Sequence, residues 1–143
     1  MMHRHDLLVI GGGPGGAATG YWAAQHGLDV VIVERKRFPR EKTCGDGLTP
    51  RAVRQLHDMG LRDRLEQYHR CDGLRAVAHD RTLELAWPDH PEFPNWGHVV
   101  KRSELDTFVA DHAVAAGAVL HQGSEATAPL FRQGLLAGAS VLD

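Results

Sequence analysis

The chain has 143 residues, of which 43% are hydrophobic and 24% are charged, and its formal net charge is −2. This composition is typical of a globular domain with a real core, and the slight negative charge argues against a nucleic-acid partner. The sequence contains no apolar run of membrane-spanning length and no signal-peptide pattern, and Cys44 and Cys71 fit neither a zinc motif nor a disulfide framework. We therefore expect a cytoplasmic protein without stable membrane insertion and without a metal site.

The first predicted elements form a βαβ unit. Leu7–Ile10 is a short apolar run rich in β-branched residues, which is typical of a buried parallel strand. A helix is predicted over residues 13–26, with Gly27 as its left-handed cap. A second buried strand is predicted over residues 30–33, so the fold class expected is Rossmann-like α/β.

A glycine-rich turn joins the first strand to this helix. Gly11, Gly13 and Gly16 occupy the three glycine positions of G-x-G-x-x-G, which serve the tight turn, the approach of a pyrophosphate and the packing of the helix on the sheet. Proline suits the first helical turn, where a missing N–H costs little. The N–H groups of that turn attract phosphate. The predicted dinucleotide-binding residues here are Gly11, Gly13, Pro14, Gly15 and Gly16.

Glu34 ends the second strand, where an acidic side chain binds the hydroxyls of a ribose. The acid favours a ribose without a 2′-phosphate. Arg35 follows directly and is predicted to cover the adenine or to reach a phosphate. It opens a run of five basic residues between positions 35 and 42, which is either a solvated loop or a segment beside the dinucleotide.

Further elements are predicted along the rest of the chain. Thr49 and Pro50 begin a helix over residues 50–59, and alternating apolar residues over 71–87 predict a β-hairpin. A later helix has Ser103 as its predicted N-cap, with Asp106 completing a capping box. Residues 118–121 are predicted to add a third strand to the nucleotide-binding sheet.

Three segments together resemble a known family. G-G-G-P-G-G-A-A, V-E-R and above all K-T-C-G-D-G-L-T-P-R-A are similar to the geranylgeranyl reductase family of flavoproteins, within the superfamily that shares the para-hydroxybenzoate hydroxylase FAD fold. The resemblance covers about residues 6–126. It implies FAD as cofactor, NAD(P)H as a candidate electron donor, and a β-ribbon inserted in the FAD/NAD(P)-binding domain. It also implies that Arg102 contacts the phosphate or ribityl region, that Ala126 lies near the adenine, and that four residues approach the flavin or substrate: Cys44, Gly45, Asp46 and Gly47.

The last part of the sequence departs from this resemblance. Family members continue with further strands, a glycine-aspartate motif and a substrate domain. Residues 127–143 look unlike the hairpin that the resemblance implies. We therefore expect residues 1–126 to be the N-terminal part of an FAD-binding domain, which is incomplete, and residues 127–143 to be a divergent tail that is truncated or frame-shifted.

Three functions follow from these observations. The first is an FAD-dependent oxidoreductase that transfers hydride from reduced flavin to isoprenoid double bonds, with transient peripheral membrane contact. The second is an FAD-dependent monooxygenase acting on an aromatic or polyketide substrate, and the third is a non-catalytic module that binds NAD or ADP. No residue is a convincing general acid or nucleophile, so catalytic residues are left unassigned. For this chain we expect weak or absent FAD binding and no turnover.

Overall fold

The structure is a computed structural model that describes residues 3–143. The chain forms two compact units, of which the first combines Met1–Lys42 with Arg102–Asp143 and the second is Thr43–Lys101. The helices are α1 (Pro14–Gln25), α2 (Pro50–Asp58), α3 (Arg62–Leu65) and α4 (Arg102–Ala115). The strands are β1 (Leu7–Ile10), β2 (Val30–Glu34), β3 (Gly47–Leu48), β4 (His69–Cys71), β5 (Gly73–Ala78), β6 (Arg81–Ala86), β7 (Gly97–Val99), β8 (Val119–Gln122), β9 (Glu125–Arg132) and β10 (Leu135–Leu142).

The first unit is built on a parallel sheet with the strand order β1-β2-β8. Val9 pairs with Ile32, and Val31 pairs with Val119. Every residue of β2 is buried because this central strand is covered on both faces, which explains its continuous apolar sequence. The predicted α/β fold class and the third parallel strand are confirmed.

Helix α1 lies close against this sheet and also packs on α4. A side chain at Gly20 would place its Cβ 2.5 Å from Cδ1 of Ile32, so the absence of a side chain permits the close approach. The core between the layers includes Val9, Val30, Ile32, Ala113 and Ala118. Small residues on the helices therefore allow the short distance between α1 and the sheet.

The second unit contains a three-stranded antiparallel sheet with the order β3-β7-β4 and a separate ribbon, β5-β6. The ribbon pairs Leu74 with Leu85 and turns at His79, whose φ is 53°. Thr49 caps α2 by accepting a hydrogen bond from the Ala52 N–H at 3.4 Å. The predicted hairpin and the predicted helix are thus confirmed, with α2 ending one residue before the expected boundary.

The tail requires a correction. Strands β9 and β10 form an antiparallel hairpin that spans residues 125–142, so the expectation that residues 127–143 depart from a hairpin is wrong. The turn places Gln133 at φ 52° and Gly134 at φ 79°, the left-handed pair that a two-residue hairpin turn requires. Gln is not a typical residue for the first position of such a turn, so the sequence around Gln133 did not indicate a hairpin. Strand β9 also runs through position 126 without a break, while the predicted domain boundary there stays a prediction.

Candidate dinucleotide-binding site

The glycine turn between β1 and α1 has the geometry that the motif predicts. Gly11 has a φ of +100°, a conformation that other residues rarely adopt, and its N–H donates to the Val33 carbonyl at 2.8 Å. At Gly16 an added Cβ would overlap the carbonyl oxygen of Gly11 and lie 3.2 Å from Cγ1 of Val9. Glycine is therefore required at both positions, the first for its backbone conformation and the second for space.

The N-terminus of α1 is arranged to receive an anion. The N-cap is Gly13, so no N-cap side chain binds the N–H groups of the first turn. Pro14 occupies the first helical position, and the first turn holds no acidic residue. The N–H groups of such a turn and the helix dipole favour negative charge. An added Cβ at Gly15 would have no atom within 4 Å, so this glycine faces open space.

Glu34 lies at the end of β2 with its side chain only 7% exposed. One carboxylate oxygen accepts the Gly12 N–H at 2.9 Å, and the other accepts the Lys36 N–H at 3.0 Å. Burial acts to raise the pKa of Glu34, but these two N–H groups, followed by the charges of Arg40 and Arg35, lower it below its ordinary value. Glu34 is therefore ionised at neutral pH. Oε2 accepts from both Gly12 and Arg40, whereas Oε1 accepts from Lys36 and retains acceptor capacity for a ribose hydroxyl.

An open cleft of about 280 Å³ adjoins this carboxylate. It brings together four residues that the sequence assigned to the cofactor, namely Gly11, Glu34, Arg35 and Ala126. The remaining lining residues are Ile10, Val33, Ser124 and Glu125. The cleft thus combines apolar side chains with two carboxylates and a cation, which suits the adenosine part of a nucleotide.

A buried charge network, which sequence reasoning missed, lies beside the glycine turn. Asp106 is fully buried on α4 and accepts hydrogen bonds from Nε and Nη2 of Arg102, at 2.7 and 3.0 Å. Nη1 of Arg40 also lies 3.1 Å from Asp106, and Nη2 of Arg40 lies 3.5 Å from Glu34. The four charges therefore alternate in sign through the chain Arg102–Asp106–Arg40–Glu34, which we call the charge chain.

This network corrects the predicted start of α4. The helix begins at Arg102, one residue before the predicted N-cap Ser103. The Asp106 carboxylate is engaged by two guanidinium groups, so it does not complete a capping box. The sequence held two weak signals for this network. Arg40 lies in the basic run, and Arg102 and Asp106 have the spacing of four that allows an ion pair on one helix.

The four residues that the resemblance placed beside the flavin belong to the second unit. Cys44 is exposed, and Gly47 pairs with Val99 in the short sheet. Asp46 has a φ of 54°, and its carbonyl accepts the Val100 N–H at 2.8 Å. The predicted role of these four residues toward the flavin stays a prediction.

The parallel βαβ unit, the glycine turn and the carboxylate at the end of β2 define a Rossmann-like dinucleotide-binding domain. The model of the FAD binding domain family matches residues 4–133, and the chain belongs to this family. FAD is accordingly the cofactor, as predicted. The site fits its ADP half, since the cradle formed by Gly11, Gly13 and Gly15 carries no side chains and an added Cβ at Gly11 or Gly15 would project into open space.

Curated relatives confirm the resemblance to isoprenoid-lipid reductases. The chain is 44% identical over 123 residues to the menaquinone reductase of Mycobacterium tuberculosis, a match that covers 86% of this chain and 30% of that protein. It is 27% identical over 141 residues to the digeranylgeranylglycerophospholipid reductase of Thermoplasma acidophilum, covering 98% of this chain and 35% of the relative. The chain spans about a third of the length of the curated relatives it matches.

Solved structures agree with this assignment. A geranylgeranyl bacteriochlorophyll reductase-like protein from T. acidophilum matches with a TM-score of 0.81 and 27% identity, over 99% of this chain and 35% of the other. The myxobacterial chondrochloren halogenase, which is FAD-dependent, matches with a TM-score of 0.87 and 26% identity, over 96% of this chain and 32% of the other. Across residues 3–143 none of the helices has both the length and the apolar character needed to cross a bilayer.

Proposed function

We propose that this chain binds the ADP half of FAD as part of a flavin-dependent reductase whose substrate carries an isoprenoid chain. The observation that carries the proposal is the agreement between the site and the relatives. The glycine cradle and the ionised Glu34 suit an adenosine diphosphate, and the relatives at 44% and 42% identity are named menaquinone reductases. Menaquinone is a quinone with an isoprenoid side chain, so the substrate class extends the geranylgeranyl expectation to isoprenoid quinones.

In this proposal each part of the site has its own role. The α1 N-terminus with Gly13, Pro14 and Gly15 holds the pyrophosphate, while Glu34 holds the ribose hydroxyls. Arg35 and Ala126 flank the adenine, which is supported by their place in the lining of the cleft. Arg102 approaches the phosphate or ribityl region, and the flavin end is assigned to Cys44, Gly45, Asp46 and Gly47.

The proposed reaction is the saturation of an isoprenoid carbon–carbon double bond. Bound FAD supplies the hydride-transfer chemistry, and the protein supplies orientation and electrostatics. The double bond takes up one hydride and one proton, so two electrons must come from a donor, for which we propose NAD(P)H. We place the protein in the cytoplasm with transient membrane contact, because the substrates named for its relatives are lipids.

Two other functions have support of their own. The likeness to an FAD-dependent halogenase favours, as a second candidate, an enzyme of the monooxygenase type that acts on an aromatic or polyketide substrate. A non-catalytic module that binds ADP or NAD is favoured by the completeness of the Gly11–Glu34 unit within the first unit.

The visible absorption spectrum of the purified chain, recorded before and after addition of FAD and again after gel filtration, tests the proposal. We expect ADP to bind, measured by calorimetry, and FAD to be retained weakly. A chain that binds neither ADP nor FAD contradicts the proposal, and one that binds NAD in preference to FAD supports the module. For the reaction, mass spectrometry of the product formed by the full-length menaquinone reductase of Mycolicibacterium smegmatis, to which this chain is 42% identical over 125 residues, separates the candidates. Two added hydrogens support a reductase, whereas an added oxygen or halogen supports the second candidate.

A further inference from the structure

The charge chain places four ionic side chains where water has little access. The exposed fractions of its side chains are 18% for Arg102, 0% for Asp106, 11% for Arg40 and 7% for Glu34. Such buried ion pairs return little stability, because the loss of hydration offsets the attraction between the charges. Net stability alone is therefore a weak explanation for the charge chain.

Arg40 is the member of the charge chain that links Asp106 on α4 to the carboxylate of Glu34. It lies 3.1 Å from Asp106 on one side and 3.5 Å from Glu34 on the other. Its guanidinium also lies 5.3 Å from the centre of the Phe38 ring and would be 3.4 Å from a Cβ at Gly13. These contacts hold the Arg40 head group in one place against the glycine turn.

The carboxylate of Glu34 depends on this arrangement for its orientation. The oxygen that faces Arg40 is the same Oε2 that accepts the Gly12 N–H, while Oε1 accepts the Lys36 N–H. Without the Arg40 guanidinium, the buried carboxylate would keep its two N–H groups and the charge of Arg35 but would lose the 3.5 Å contact at Oε2.

We propose that Arg40, anchored by the buried Asp106, is a positioning residue that fixes the Glu34 carboxylate for the hydroxyls of the nucleotide ribose. The proposal rests on the proposed function, in which Glu34 binds that ribose. Asp106 acts at one remove, through Arg40. The consequence is that substitutions on α4 change how the site recognises one particular hydroxyl group.

The test compares the dissociation constants of ADP and 2′-deoxy-ADP for each variant of the full chain. A hydrogen bond to a charged group is worth enough that wild type should bind ADP about tenfold more tightly than the 2′-deoxy form. Glu34→Gln gives the ratio expected when the charged acceptor is lost. We expect Arg40→Gln and Asp106→Asn to lower the ratio toward the Glu34→Gln value, and Arg40→Lys to restore part of it.

The ratio separates positioning from a general loss of structure. If Asp106→Asn and Arg40→Gln weaken both nucleotides equally and leave the ratio at its wild-type value, the network only supports the fold and the proposal is wrong. Arg75→Gln removes an exposed ion pair with Glu84 in the second unit and is the matched control, for which the ratio should not change. If Arg40→Gln does not fold by circular dichroism, Arg40→Lys decides, because lysine keeps the charge but cannot bridge two carboxylates as arginine does. A ratio between those of wild type and Glu34→Gln supports the proposal, and a wild-type ratio in Arg40→Lys overturns it. A wild-type chain that binds neither nucleotide overturns the proposed function and, with it, this proposal.

Discussion

Substitution of Gly16 by alanine tests whether close contact between α1 and β1 controls the stability of the nucleotide-binding unit. The new Cβ would overlap the carbonyl oxygen of Gly11 and lie 3.1 Å from its carbonyl carbon. Both atoms belong to the backbone, so the helix itself must move. Overpacking of this kind costs about 1–3 kcal/mol, and we expect the upper end because no flexible side chain can yield.

Gly15→Ala provides a matched control one residue away. Its Cβ would have no atom within 4 Å, and alanine is favoured over glycine within a helix by about 0.5–1 kcal/mol. The two variants should therefore differ in free energy of unfolding by about 3.5–4 kcal/mol, which corresponds to roughly 12 °C in Tm for a domain of this size.

Urea denaturation followed by circular dichroism, without nucleotide, measures this difference. The m-value should stay the same in both variants, so that the midpoint reports stability alone. If Gly16→Ala proves as stable as Gly15→Ala, then the helix does not approach the strand as the structure places it, and the argument for glycine at this position fails.

Three further predictions concern pH and helix capping. Burial raises the pKa of Glu34, but the N–H groups and nearby cations lower it overall. The contribution of Glu34 to stability should therefore be present above about pH 4.5 and lost as the pH falls further. Plots of the free energy of unfolding against pH for wild type and Glu34→Gln, measured between pH 3 and 7, should converge at acid pH. The pKa of His57 lies below its ordinary value because of burial and then the charge of Arg62, so the unfolded state gains a proton first as the pH falls below about 6.5. Stability should drop there, and a His57→Gln variant that keeps the full drop would contradict this. Thr49→Ala should cost about 0.5–1 kcal/mol, at the low end for a cap because the hydrogen bond to Ala52 is long at 3.4 Å; an unchanged midpoint in urea would show that the cap contributes nothing.

The βαβ unit was predictable because its signals are local. A continuous apolar run predicts a buried strand, and this holds for β2. The prediction of burial is wrong for β1, where only Val9 is buried and Ile10 is 64% exposed, because β1 is an edge strand of the sheet. Gly11, Gly16 and Gly27 mark positions that sterics reserve for glycine. Glu34 is the last residue of β2, so its place at the carboxyl end of the parallel sheet needed no knowledge of distant residues. The same is true of Thr49 and α2.

Burial of Arg40 was not predictable, because its cause lies far away in the sequence. The partner Asp106 is 66 positions further along, and Arg40 stands among exposed basic residues that suggest a solvated loop. Asp106 was misassigned for a related reason. The helix starts at Arg102, and the arginine four residues before Asp106 competes with the backbone for its carboxylate. Side-chain pairing between distant elements is decided by the tertiary structure, so local patterns cannot reveal it.

The nucleotide-binding unit is discontinuous in sequence, since Thr43–Lys101 separates its two parts. The Glu34 carbonyl accepts the N–H groups of Gly123 and Ser124, and β2 finds its second neighbour only in β8. During synthesis on a ribosome, at about 5–20 residues per second, Glu34 is therefore made several seconds before the segments that complete its surroundings. Until then β2 presents an open apolar edge, so this interval is when the growing chain is most exposed to mispairing.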